Sequence, residues 1–167
     1  MKKEAVLAIQ NLLATPKKIA IIPHRSPDGD AMGSTLALYH FLLKLNHNPV
    51  VISPNEFPNS LAWLPGSETV LIYENDKENG TKILNEAELV FTLDFNALHR
   101  TGEMEQVLNK LSAPMIMIDH HQNPDIYATV TYSDTSIGST CEMIYNMITY
   151  LDKKEMLDKT IATCIYT

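Results

Sequence analysis

Ile19-Ala20-Ile21-Ile22-Pro23-His24-Arg25-Ser26-Pro27-Asp28-Gly29-Asp30-Ala31-Met32-Gly33-Ser34 is the stretch on which the fold turns. The apolar run Ile19 to Ile22 reads as a buried strand. Met32, Leu36, Tyr39 and Leu43 recur behind it at helical spacing. Between the two lie one imidazole, two carboxylates and a Pro-Asp-Gly turn. A strand-to-helix loop is where open α/β sheets carry their sites. Asp28 and Asp30 stand too close in sequence to be stable together without positive charge between them, and a divalent cation supplies it.

Working outward, Val6, Leu7, Ile9, Leu12 and Leu13 give a helix over residues 4 to 14 that Pro16 ends. The helix behind the first loop runs to about residue 46, and Asn48-Pro49 closes it. Val50 to Ser53 and Val70 to Tyr73 read as short strands, with residues 54 to 67 mostly loop. Asn79-Gly80 reads as a bend and Lys82 to Ala87 as a short helix. Glu88 to Asp94 and Met115 to Ile118 are further buried strands, separated by a helix through Met104, Val107, Leu108 and Leu111. Ala128 to Tyr132 alternate as an edge strand would. Ser139-x-x-Glu142 is a capping box opening a helix to Leu151, and a last helical segment spans 155 to 167. Strands alternating with helices through short connections predict an α/β fold: a doubly wound, mostly parallel sheet of about five strands flanked by helices.

Composition narrows the function classes. A chain of 167 residues, 45% hydrophobic, can form one domain with a proper core. The net charge of -7 argues against a broad electrostatic grip on long nucleic acid, but not against a small anionic substrate held through metals. Cys141 and Cys164 sit in apolar periodic segments and read as buried thiols of a reducing compartment. With no leader and no membrane-length apolar run, the expectation is a cytoplasmic protein without membrane contact.

Three separate strand ends carry ligand-type residues: His24, Asp28 and Asp30; then Asp94; then Asp119, His120 and His121. Singly, Asp94 reads equally well as a helix cap and His24 as a loop histidine. In a parallel sheet, however, all strand exits share one edge, so the three groups converge. Imidazole and carboxylate without thiolate suit Mn²⁺, Mg²⁺ or Zn²⁺. The number of donors matches two ions about 3.5–4 Å apart sharing a carboxylate. His40, His47 and His99 fall in no such pattern and read as surface or helix residues. Gly33 and Ser34, near a helix start, are candidates to bind an anion through backbone N–H groups. Arg25 and His121 are candidates to touch a phosphate.

His24-x-x-x-Asp28-x-Asp30, the strand-end Asp94 and the Asp119-His120-His121 triplet resemble the first three motifs of the DHH phosphoesterase superfamily. The spelling from Pro27 to Ser34, and later Ser139-Thr140-Cys141-Glu142-Met143-Ile144-Tyr145, resembles its branch of bifunctional oligoribonuclease/pAp phosphatases and cyclic-di-AMP phosphodiesterases. The resemblance implies that His24, Asp28 and Asp94 hold one Mn²⁺ and that Asp30, Asp94 and His120 hold a second, so that Asp94 bridges. It implies that Asp119 orients the histidines and that His121 sits near the substrate phosphate. The family's fourth motif, an aspartate following a helix resembling Thr160 to Thr167, is not in this sequence. The expectation is therefore the amino-terminal domain of a longer protein, with the substrate-binding domain absent and weak or no activity alone. Asp134, in Ser133-Asp134-Thr135, is a superficial match to the fourth motif but precedes the wrong helix.

The implied function is metal-dependent hydrolysis of short oligoribonucleotides and of 3′-phosphoadenosine 5′-phosphate (pAp). Two alternatives stand beside it: another phosphodiester substrate such as cyclic-di-AMP, and a non-catalytic nucleotide-binding module. The partners expected are a small nucleotide or short RNA, with a homodimer left open.

Overall fold

The computed structural model describes all 167 residues. In chain order the elements are α1 (Lys3–Leu12), β1 (Lys18–Pro23), α2 (Gly29–Lys44), β2 (Asn48–Ser53), β3 (Leu71–Ile72), α3 (Lys77–Glu86), β4 (Leu89–Leu93), α4 (Glu105–Leu108), β5 (Met115–Asp119), β6 (Val130–Ser133), α5 (Thr140–Tyr150) and α6 (Lys159–Ile165). The strands form one six-stranded sheet in the order β3-β2-β1-β4-β5-β6. Every pairing is parallel. The sheet thus has six strands, β6 at one edge and the two-residue β3 at the other.

Strand periodicity splits the core into two layers. Ile19 and Ile21 of β1, with Leu89, Phe91 and Leu93 of β4, face α2, α5 and α6, where Phe41, Ile144 and Ile161 complete the larger cluster. Ala20 and Ile22, with Val90, face the opposite way and meet Leu84 of α3 and Leu108 of α4. Strands buried on both faces read as continuous apolar runs, as β1 and β4 do. Each fully buried Ile, Leu or Phe contributes about 1.5–3 kcal/mol of hydrophobic stabilisation.

Winding direction reverses between β1 and β4. β2 and β3 were laid down on one side of β1, and β4, β5 and β6 on the other. This is the topological switch point, outside whose strand ends α/β sheets bind their ligands. Gly33 is what lets α6 close over α2 here. A Cβ at that position would stand 2.5 Å from the Cys164 carbonyl oxygen and 3.0 Å from the Cys141 sulfur.

Several local readings need correction. Asn79-Gly80 makes no bend but lies inside α3, which starts early because Asp76 caps it, accepting from the Asn79 N–H at 3.1 Å. Gly80 is there for space, since a Cβ would meet the Tyr73 ring at 2.6 Å. The helix expected around Met104 is a 3-10 segment, Leu98–Met104, followed by the single turn α4, and Gly102 at φ +63° interrupts it. His47 is buried rather than superficial, its Nδ1 accepting the Lys17 N–H at 3.2 Å. Both cysteines are buried and free. No helix is long and apolar enough to cross a membrane.

Candidate metal centre

Because the sheet is parallel, the residues that follow β1, β4 and β5 share one edge. His24 follows Pro23, Asp94 follows Leu93, and His120 and His121 follow Asp119. His24 and Asp94 flank the switch point itself. The backbone is bent to present them. Asp94 lies at φ +65° while its N–H donates to the Ile118 carbonyl at 3.0 Å, the last rung of the ladder. Left-handed Asp is uncommon and concentrates at functional sites. Ser26 lies at φ +54°, its N–H fixed by the Asn55 side chain at 2.6 Å.

Asp94 is the hub. It is 2% exposed. Its Oδ2 lies 3.6 Å from Nε2 of His24. Its Oδ1 lies 3.5 Å from Nε2 of His120. Oδ2 of Asp30 lies 3.6 Å from the same His120 nitrogen. These separations are too long for good hydrogen bonds. They are close to the spacing of two donors that each stand about 2.0–2.2 Å from a shared ion. Two sets of donor atoms gather within 4.8 Å: His24, Asp28 and Asp94, and Asp94, His120 and His121. The first is the trio expected from the sequence. The second brings in His121, while Asp30 approaches the same His120 nitrogen as Asp94 and belongs to neither set.

The surroundings fix how each group is presented. Nδ1–H of His24 donates to the Arg25 carbonyl at 2.8 Å, leaving Nε2 with its lone pair toward Asp94. Burial disfavours the charged His24 ring, but the Asp94 carboxylate and the Arg25 carbonyl outweigh it and raise the pKa. Burial raises the Asp94 pKa and nearby Asp30 adds to it, while the His24 ring beside it and the hydrogen bond from Thr140 oppose it. Asp28 caps α2, its Oδ1 accepting the Ala31 N–H at 3.0 Å. Asp119 is fully buried, and both its oxygens hold His121: Oδ2 accepts the backbone N–H at 3.1 Å and Oδ1 the ring Nδ1–H at 2.7 Å. Nε2 of His121 is thereby left free. The loop carrying it is pinned by Asn96, whose side-chain amide donates to the Gln122 carbonyl at 2.7 Å.

The donor set fits divalent cations. Three carboxylates and three imidazoles converge, and no Lys or Arg pairs with any of them. Mixed nitrogen and oxygen donors favour Mn²⁺ or Zn²⁺ over Ca²⁺. Burial and the Asp30 charge push the pKa of the nearby Cys141 thiol far up.

Two residues expected to touch an anion lie inside a helix, and a third is paired at the rim. Gly33 and Ser34 are one turn too deep in α2, where N–H groups are spent within the helix, and Ser34 is fully buried with its hydroxyl donating to the Ala31 carbonyl at 3.2 Å. The Arg25 guanidinium pairs with Glu74 at the rim. Asp134 accepts from the N–H and hydroxyl of Ser136 and is outside both donor sets. What the sequence did not announce is Thr140, whose hydroxyl donates to Asp94 Oδ1 at 2.8 Å.

Comparison with known proteins shows the family and the fold. The N-terminal domain of the DHH family matches residues 18–167. The chain is 29% identical to the bifunctional oligoribonuclease and PAP phosphatase NrnA of Mycoplasma genitalium over 99% of this chain and 49% of that protein. It is 31% identical to the protein of the same name in Bacillus subtilis, over 87% of this chain and 44% of that one. An exopolyphosphatase-related protein of Bacteroides fragilis superposes with a TM-score of 0.98 at 38% identity, covering 99% of this chain and 49% of that one. The chain spans about half the length of the curated relatives it matches. By sequence and by fold, then, this chain belongs to the DHH family, of which it matches the N-terminal domain.

Proposed function

We propose that the protein is a phosphoester hydrolase that works with two divalent cations, Mn²⁺ foremost, on short oligoribonucleotides and pAp. The observation that carries the reading is the bifacial Asp94, one oxygen toward His24 and the other toward His120. The names of the relatives, which pair oligoribonuclease with phosphatase activity, support the substrate class. His24, Asp28 and Asp94 would hold one cation; Asp94, Asp30 and His120 the other. Cations held there supply Lewis acidity toward the phosphoryl oxygens and a more acidic water. The chain's own residues do the rest. Asp119 holds the His121 ring through Nδ1–H and leaves Nε2 without a protein hydrogen bond; a ring that also carries a proton on Nε2 can donate it to a phosphoryl oxygen or a leaving group. Arg25, released from Glu74, can reach an anion at the rim. We read the 167 residues as the metal-binding half of a longer protein, because the family match is to an N-terminal domain.

The test uses the full-length protein, stripped of metal and reloaded with Mn²⁺, on pAp, a short RNA, cyclic-di-AMP and pyrophosphate. Mn²⁺-dependent phosphate release from pAp and shortening of the RNA are expected. Hydrolysis confined to cyclic-di-AMP or pyrophosphate would replace the substrate, and no metal-dependent hydrolysis at all would reject the reading.

A further inference from the structure

Thr140 is the first residue of α5 and is fully buried. Ser139 before it caps the helix, its side chain accepting the Glu142 N–H at 3.1 Å. With the Ser139 cap directed to Glu142, the Thr140 and Cys141 N–H groups remain available, and both go to a single carboxylate. The Thr140 N–H donates to Asp30 Oδ2 at 2.7 Å and the Cys141 N–H to Asp30 Oδ1 at 2.8 Å. Two free N–H groups at a helix start, aligned with the helix dipole, hold an anion well. The Thr140 hydroxyl donates to Asp94 Oδ1 at 2.8 Å. The two oxygens that Thr140 touches, Asp30 Oδ2 and Asp94 Oδ1, are the two that face Nε2 of His120. Asp94 Oδ2, which faces His24, receives nothing from Thr140.

We infer that Thr140 is a positioning residue for one cation site only, the one formed by Asp30, Asp94 and His120. The inference rests on the two-cation reading above. A carboxylate oxygen that accepts one hydrogen bond keeps a second lone pair for an ion. Thr140 sets the rotation of both carboxylates from one residue, so that each turns a lone pair toward the His120 side. The branched side chain has few rotamers, which keeps its hydroxyl on target. The His24 side is organised by other groups, the Arg25 carbonyl and the α2 cap, and forms without it.

Thr140→Val keeps the shape and the backbone N–H and removes only the hydroxyl; Thr140→Ser keeps the hydroxyl. Mn²⁺ binding to the metal-stripped full-length protein is followed by calorimetry, and coupling between neighbouring Mn²⁺ ions by electron paramagnetic resonance. In wild type two sites and a coupled signal are expected. In Thr140→Val one site keeps its affinity, the other weakens about 10- to 100-fold, and the signal at intermediate Mn²⁺ is that of an isolated ion. Thr140→Ser restores both. If Thr140→Val does not fold, Thr140→Ala carries the same comparison. Equal weakening of both sites, or two unchanged sites, would overturn the inference. A wild-type protein that takes up no Mn²⁺ would instead reject the two-cation reading on which it stands.

Discussion

Oδ1 of Asp119, a carboxylate with no solvent exposure, accepts the Nδ1–H of His121 at 2.7 Å, in a ring that also stands among the donors of Asp94 and His120. The pair fixes which ring nitrogen carries the proton. In Asp119→Asn the amide can turn its NH₂ toward Nδ1, so the proton moves to Nε2. We expect kcat on pAp with Mn²⁺ to fall about 10- to 100-fold, with KM within a few-fold of wild type. Nitrogen NMR shifts of the His121 ring would report the tautomer. A reversed tautomer with unchanged kcat would remove His121 from the chemistry.

Asp94→Asn separates the metal from the fold. Asn tolerates the left-handed backbone at this position, so the turn survives. The metal-free variant should melt no lower than wild type, because it no longer buries a carboxylate beside Asp30. With free Mn²⁺ at a hundredfold excess over Kd, each occupied site adds about 2.7 kcal/mol to wild-type stability. That corresponds to roughly 5–10 °C in Tm for a chain of this size. Scanning calorimetry with and without Mn²⁺ should show this rise in wild type and little of it in Asp94→Asn. An equal rise in both proteins would show that Asp94 is not a ligand.

Gly33→Ala tests the closure of α6 on α2. The new methyl would run into the Cys164 carbonyl and the Cys141 sulfur, and the backbone side of that clash cannot rotate away. A loss of about 1–3 kcal/mol is expected from urea unfolding, with an unchanged m-value. A neutral result would mean that α6 shifts freely along α2.

Acid sensitivity of the same helix should trace to Asp158. Its side chain pairs with Lys44 of α2 at 2.8 Å and accepts the Ile161 N–H at 3.0 Å as the cap of α6. The Lys44 hydrogen bond, followed by the helix N–H groups, holds its pKa below the usual carboxylate range. A group whose folded pKa is depressed stabilises fully above its unfolded pKa of about 3.9, and that contribution is lost as pH falls through the folded value. Asp158→Asn keeps the cap acceptor and loses the charge. We expect it to be about 0.5–1 kcal/mol less stable than wild type at pH 7, since the pair is half-exposed and screened by water. The difference should shrink as pH falls below the usual carboxylate range. Urea midpoints at several pH values would show this; a difference that grew toward low pH would contradict it.

The strands and the three ligand clusters were legible because each polar residue follows an apolar run that can only be a buried strand, and parallel pairing then leaves no choice of edge. His24, Asp94 and His120 meet for that reason alone. The contributions of Thr140 and Asn96 were not legible, since hydroxyl and amide donors have no periodicity and their partners lie 46 and 26 residues away. Glycines misled twice. Gly33 and Gly80 read as an anion-binding position and a bend, yet both serve close packing inside helices, where the relevant neighbour is distant in sequence. His47 misled because a buried imidazole whose partner is a backbone N–H leaves no pattern among side chains.

The reversal of winding between β1 and β4 has a consequence for quality control. His24, Asp28 and Asp30 ride on one half of the sheet; Asp94, His120 and Thr140 belong to the other. The set of His24, Asp28 and Asp94 draws on both halves, whereas Asp94, His120 and His121 all come from one. A nascent or partly melted chain therefore cannot assemble the proposed two-cation centre, which forms only when both halves have docked across the seam.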